Sequence, residues 1–442
     1  MHPLATALLQ PEAHPEPFRT IRYVETHISA VFITDTWVYK LKKPVKFDFV
    51  DYSTLALRKH FCEEEVRLNR RYAPDVYVGV VPIDDQHRIE GPGTPVEWAV
   101  KMRRLPDDAS LLARLDALTS ADLERVGRFL AGVHRAAPSG PEISALARFE
   151  PVAQNARDNF AQTTSHVGDT VSQGVYDRLK AHTDALLVRL APLIEQRATL
   201  ARDTHGDLRA EHVYLFDQQV LFLDCVEFSA AFRFADPVSD MAFLYMDLAV
   251  RGRRDLATAL AESWFSETGD EQGRQLLPFY TAYRSLVRAK VRGLQGERMR
   301  ARRHWLFALG ELSDDGPCLV GVGGLPGTGK TTISRGLAKR AGFTVIRSDV
   351  VRKELAGIDE NERAGKDGFE TGIYTPEWKD RVYAECLDRA REVILAGGRA
   401  IVDASFSNER WRVQLLDAGR ELGVATGLLW CAVSPEDVRI RL

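Results

Sequence analysis

Apolar-rich runs at residues 28–33 and 37–42, on either side of the turn Thr34-Asp35-Thr36, predict a strand pair. Ser53 stands where a cap would open a helix running to Arg71, with Leu55, Phe61, Cys62, Val66 and Leu68 as its apolar positions. Residues 76–83 and 96–102 alternate as strands, split by the turn-rich Glu90-Gly91-Pro92-Gly93. From 110 to 305 the pattern is helical, broken by a polar loop and a short hairpin between 204 and 228. Leu312-Ser313-Asp314-Asp315-Gly316-Pro317 punctuates the chain. Beyond it, apolar runs at 318–322, 343–347, 400–403 and 425–433 alternate with helical stretches at 332–340, 378–395 and 409–422, the order of an open α/β sheet. The expected blocks are therefore 1–105, 106–311 and 316–442.

Composition narrows the class without naming it. A chain of 442 residues exceeds one ordinary core. Hydrophobic residues make up 45% and charged residues 27%, so the chain reads as globular. The formal charge of −3 gives no global pull toward nucleic acid or an anionic membrane. Five scattered cysteines without CxxC spacing fit a reducing compartment. No apolar run is long enough to span a bilayer, and cytoplasm is the expected location.

The most specific motif is Gly324-Leu325-Pro326-Gly327-Thr328-Gly329-Lys330-Thr331, a complete phosphate-binding P-loop between a strand and a helix. Its glycines let backbone N–H groups close around phosphate oxygens at a helix N-terminus. Gly324, Gly327, Thr328, Gly329, Lys330, Thr331 and Thr332 are the expected ATP contacts. Lys330 would reach the β- and γ-phosphates, and the Thr331 hydroxyl would ligate Mg²⁺. Downstream, Asp349 and Asp403 end parallel strands and so face the ligand crevice of such a sheet. Asp403 suits the metal's water shell.

A second constellation lies upstream. His205-Gly206-Asp207 precedes a hairpin, and Phe222-Leu223-Asp224 follows it. Phosphoryl transfer needs this division of labour: one carboxylate for the acceptor proton, another for the metal. The segment, with Asp236-Pro237-Val238-Ser239-Asp240 after it, resembles the catalytic loop of the aminoglycoside phosphotransferase and choline kinase-like family. That resemblance implies an α+β bilobal kinase-like fold over residues 21–305, with Asp207 as catalytic base and Asp224 as metal ligand. It also implies a strand lysine paired with a helix glutamate. Lys42 with Glu64 is the preferred pair, with Lys40 and Glu65 as substitutes. Two departures stand out. Glu25-Thr26-His27-Ile28-Ser29 replaces a glycine-rich loop, and His212 replaces the family's metal-binding Asn, leaving Glu211 or Glu227 to supply an oxygen.

The last block is similar to small P-loop kinases of the gluconate kinase, zeta-toxin and polynucleotide kinase type. The resemblance implies an α/β domain with a mostly parallel sheet, Asp349 acting on the acceptor hydroxyl and Arg352 binding substrate. Such kinases carry lid arginines. The chain stops at Arg439-Ile440-Arg441-Leu442, so the domain is expected to end before or within its lid. The combined expectation is an ATP- and Mg²⁺-dependent phosphotransferase acting on a small hydroxylated molecule. Two alternatives stand beside it: a nucleic-acid 5′-end kinase in the P-loop half, against which the acidity weighs, and a non-catalytic nucleotide-sensing half.

Overall fold

The computed structural model describes residues 2–47, 50–358, 373 and 375–434. The chain divides into two compact units that interleave in sequence. One holds Met1–Pro151, Pro192–Tyr245 and Asp255–Arg274; the other holds Val152–Ala191, Met246–Arg254 and Gln275–Leu442.

The first unit opens with a five-stranded antiparallel sheet in the order Arg22–Glu25, Ser29–Ile33, Trp37–Lys42, Pro95–Arg103, Tyr77–Asp84. Strand side chains alternate between faces. Tyr39 and Leu41 therefore enter a core with Phe32, Ile83, Ala99 and the N-terminal Leu8. Lys40 and Lys42 project from the other face, which the helix Leu55–Asn69 covers through Cys62 and Val66 against Val100 and Met102. Thr54, one residue beyond the expected Ser53, caps this helix by accepting from Leu57 N at 3.2 Å. The N-terminal helix Ala5–Leu8, which no sequence pattern announced, seals the opposite face of the sheet.

The hairpin expected between 204 and 228 is the strand pair Val213–Phe216 and Gln219–Phe222. Both turn residues, Asp217 and Gln218, have positive φ, as a two-residue turn of the type I′ kind requires.

In the second unit, Phe343–Arg347, Arg399–Asp403, Cys318–Gly323 and Ala425–Trp430 form a parallel sheet in that order. An α+β kinase-like unit and a parallel P-loop sheet are the fold class expected from sequence. The expected linear boundary at 311 is not where the compact units divide. The helix Arg298–Leu312 buries Trp305, Leu306 and Leu309 in one core with Ala400, Val402 and Leu415 of the P-loop unit. Its apolar stripe needs a partner, and the sheet-flanking helix Glu409–Leu422 supplies one. Arg303 Nε adds a bond of 2.9 Å to Glu421 O.

Trp305→Ala tests that membership. Emptying a buried indole site costs about 3–5 kcal/mol. Hydrogen-exchange protection of strand Arg399–Asp403 is expected to fall with it. Unchanged protection there would separate this helix from the P-loop core.

Candidate functional site

The strand Trp37–Lys42 places two ammonium groups over the helix Leu55–Asn69. Cys62, Glu65 and Asn69 follow at helical spacing and share the buried face, so Glu65 points inward while Glu64 is rotated outward. Glu65 Oε1 lies 2.9 Å from Lys40 Nζ and Oε2 lies 2.5 Å from Lys42 Nζ. Glu64 instead pairs with Arg67 on the surface at 2.7 Å. The expected Lys42–Glu64 pair is therefore not formed; the structure joins Glu65 to both lysines.

The two lysines then diverge. Lys42 is fully buried and holds the Glu227 carboxylate, which also accepts from Tyr52 OH at 2.5 Å. Burial works against the Glu227 charge, but Lys42 and Lys40 hold its pKa below the ordinary range. With both lysine and tyrosine committed to it, Glu227 does not fill the place left by the family's Asn. Lys40 reaches Asp224 Oδ1 at 2.5 Å. Burial would raise the Asp224 pKa, and the Lys40 charge outweighs it, keeping the carboxylate charged.

Asp224 sits at φ +64°, a backbone region that Asp tolerates better than most residues. Two bonds hold it there. Its N–H donates to Tyr77 OH at 3.1 Å, and the next N–H, of Cys225, donates to Asn69 Oδ1 at 2.9 Å. Asn69 thus ties the Asp224–Cys225 segment to the helix that carries Glu65. Neither Tyr77 nor Asn69 was picked out from sequence, because an isolated polar residue in a helix or strand carries no motif.

The catalytic loop is shaped by Asp240, whose carboxylate accepts from His205 N at 3.1 Å and Gly206 N at 2.9 Å. Gly206 has φ +83°, and a Cβ there would come within 2.9 Å of Phe232 O, so no other residue fits. His205 donates through Nε2 to Leu223 O at 2.9 Å, bridging the loop to the strand end before Asp224. Asp207 receives a two-pronged contact from Arg209 at 2.9 and 2.8 Å. His212 bonds Asp207 O through Nδ1 at 2.8 Å and lies 3.7 Å from Asp224 Oδ2 through Nε2. The two acids singled out from sequence are thus brought to either side of one imidazole.

Magnesium fits Asp224 in one respect. Its side chain is 47% exposed, and Oδ2 accepts no hydrogen bond among the described residues. A second magnesium position does not fit. His212 offers nitrogen to a cation that prefers oxygen, and Glu227 is occupied.

In the P-loop unit, Gly324 takes φ +140° and donates its N–H to Ser405 O at 3.1 Å. A Cβ there would stand 2.4 Å from Cys431 O. Gly327, Thr328, Gly329, Lys330, Thr331 and Thr332 line an open cleft of about 610 Å³ at the start of the helix Lys330–Ala341. Lys330 Nζ folds onto Leu325 O at 2.8 Å. Asp403, at 5% exposure, ends its strand beside Val322. Its Oδ2 is buried with no hydrogen-bond partner among the described residues. Burial raises the Asp403 pKa, against the pull of the Thr331 hydroxyl and the Lys330 charge. An orphaned carboxylate oxygen beside a P-loop threonine is what a bound Mg²⁺ would satisfy. Asp349 lies in the first turn of the helix Ser348–Leu355, paired with Arg347 at 2.7 Å, and Arg352 follows one turn later. The terminal Arg439-Ile440-Arg441-Leu442, before or within which the lid is expected to be cut off, lies outside the described residues.

His205 supplies a pH test. It is fully buried, and burial pushes its pKa from 6.5 down to about 4. The unfolded chain therefore binds the extra proton first as pH falls. The stability carried by neutral His205 is complete above pH 6.5 and is lost toward pH 4, on the order of 3 kcal/mol. Urea midpoints measured across that window are expected to fall more steeply for the native chain than for His205→Asn. Equal slopes would remove His205 as the source.

A family profile described as an AAA domain matches residues 319–442. A choline/ethanolamine kinase family protein from Mesorhizobium loti superposes with a TM-score of 0.41 at 14% identity, over 65% of this chain and 86% of that one. For the GDP complex of aminoglycoside 2′-phosphotransferase-IIIa the values are 0.43 and 12%, over 66% and 91%. These superpositions are loose, and the site stands on its own residues. Uncharacterised proteins of Mycobacterium tuberculosis H37Rv and Mycobacterium bovis are each 33% identical over 417 residues, 91% of this chain and 82% of the relative. At that identity and coverage, the chain belongs to the same family as these mycobacterial proteins.

Proposed function

We propose that the chain is an ATP-dependent phosphotransferase with two nucleotide sites, and that its first unit phosphorylates a hydroxyl group of a small molecule. One observation carries this reading. Lys40, Glu65 and Asp224, separated by 25 and 184 residues from Lys40 in sequence, meet in one ion-pair chain with Asp207 just across His212. A strand lysine, a helix glutamate and a loop aspartate converging this way are the parts that orient a triphosphate.

In this reading Asp207 accepts the acceptor's hydroxyl proton, Lys40 binds α- and β-phosphate oxygens, and Asp224 holds Mg²⁺. The ion, when bound, neutralises charge on the phosphate oxygens. Lys42 takes no phosphate; its buried charge is consumed by Glu65 and Glu227, and it keeps the Glu65 carboxylate in place for Lys40. In the second unit the P-loop backbone, Lys330 and Thr331 cradle a second ATP, Thr331 and Asp403 serve its Mg²⁺, Asp349 acts on an acceptor hydroxyl and Arg352 binds that acceptor. Among the described residues no helix is long and apolar enough to cross a membrane.

Calorimetric titration counts the sites. The full chain is expected to bind two ATP; Asp224→Asn removes one and Lys330→Ala removes the other. One ATP per chain, lost equally in both variants, would indicate a single composite site.

Turnover separates the roles within the first site. With water as acceptor and Lys330→Ala as background, Asp207→Asn is expected to cut kcat by about 10²–10⁴-fold. ATP affinity should stay within about threefold, because the base acts on the acceptor. Mild and equal effects of Asp207→Asn and Asp224→Asn would reduce both to solvated loop acids.

A further inference from the structure

Arg209 is a cation that neither motif accounts for. It is 9% exposed, and its guanidinium is surrounded by acceptors of the catalytic loop itself. Nε and Nη2 grip both oxygens of Asp207, Nη1 bonds the Glu211 carboxylate, and Nη2 lies 3.3 Å from His212 Nε2. The His212 contact fixes its own direction. Because Asp207 O can only accept, His212 Nδ1 carries the hydrogen, and Nε2 presents its lone pair to Arg209. Two carboxylates and one imidazole lone pair around a single centre form a cation's environment, and a guanidinium occupies it.

The same loop lacks what a second hard metal ion needs. The position of the family's amide oxygen holds His212, Glu227 is locked by Lys42 and Tyr52, and Glu211 is held by Arg209. We propose that the guanidinium of Arg209 does the work of the second metal ion, so that the first unit runs on one divalent cation, at Asp224, with Arg209 contacting the oxygens of the transferring phosphoryl group. This rests on the phosphotransferase reading of that unit.

Arginine suits the task. It stays charged at any working pH, and its planar fork matches phosphate oxygens as well as carboxylates. The transfer balances without further reactants. The acceptor's O–H proton goes to the Asp207 carboxylate, and its oxygen bonds the γ-phosphorus. The bond from that phosphorus to the β,γ-bridging oxygen breaks, and its electron pair leaves on ADP. Arg209 loses no proton; to meet the oxygens where charge accumulates, its N–H groups exchange the Asp207 and Glu211 carboxylates for them, which also frees Asp207 to take the proton.

The test counts metal in the full chain, with Mn²⁺ as a paramagnetic probe and adenosine imidodiphosphate as a non-transferable nucleotide. Electron paramagnetic resonance titration is expected to show that Asp224→Asn loses one Mn²⁺ per chain relative to the native protein. A loss of two overturns the inference and leaves the phosphotransferase reading standing. A loss of none overturns both.

Kinetics supply the second arm, as ATP hydrolysis in the Lys330→Ala background. Arg209→Ala and Arg209→Gln are each expected to lower kcat about 10²–10³-fold, the usual scale for removing a preorganised donor. KM for ATP should move by less than about threefold, and Arg209→Lys should recover part of the loss. The glutamine variant keeps a polar side chain in the buried position, so an effect of misfolding would separate the two substitutions. An unchanged kcat in either well-folded variant overturns the proposal.

Discussion

The Glu65 carboxylate is the group on which the first unit's site depends. It divides its two oxygens between Lys40 and Lys42, and each lysine carries a second acid from the 224–227 segment. The result is a closed ring: Asp224, Lys40, Glu65, Lys42 and Glu227, joined again through the backbone between 224 and 227. Removing one partner from a buried pair leaves an uncompensated charge, at a cost of about 3–5 kcal/mol. Such a ring tolerates little rearrangement. It fixes the 224–227 segment to the sheet, with Lys40 at its more exposed end and Lys42 fully buried.

Much of this was legible in the chain. The P-loop, the strand–loop–helix around it and the pair Asp207/Asp224 were readable because their chemistry is written in contiguous residues at fixed spacing. The two lysines on one strand face followed from the period of two. The glutamate did not follow. Glu63, Glu64 and Glu65 are chemically identical, and the choice depends on where the helix's buried face lies, which Cys62 and Asn69 mark only when read as partners of Glu65. Tyr77, Asn69 and Tyr52 were invisible for a related reason: each acts through one long-range hydrogen bond that leaves no local periodicity. The compact units do not divide at residue 311, because a proline-containing turn reports where a helix stops, not which core that helix joins.

The two units solve the same electrostatic problem in different ways. In the P-loop unit, the glycine loop leads into a helix start, and Asp403 is buried with one oxygen lacking a partner among the described residues. In the kinase-like unit, the clustered acids Glu65, Asp207, Asp224 and Glu227 are each paired with a cationic side chain, and Oδ2 of Asp224 accepts no hydrogen bond among the described residues. The first arrangement leaves a buried acceptor unpaired. The second arrives at its ligands already neutralised and must exchange partners to bind them.

The interleaving of the two units also bears on how such a gene can change. Segments before 192 and around 250 belong with the P-loop core, while segments on either side of them belong with the kinase-like core. No single recombination breakpoint can hand one unit to another gene intact, since any cut strands Val175, Tyr176 and Leu179 from the Trp305 helix they pack with or leaves part of the kinase-like core behind. Inheritance therefore treats the pair as one object. Duplication of the whole gene, followed by point changes within one unit, is the route to specialisation that this architecture leaves open.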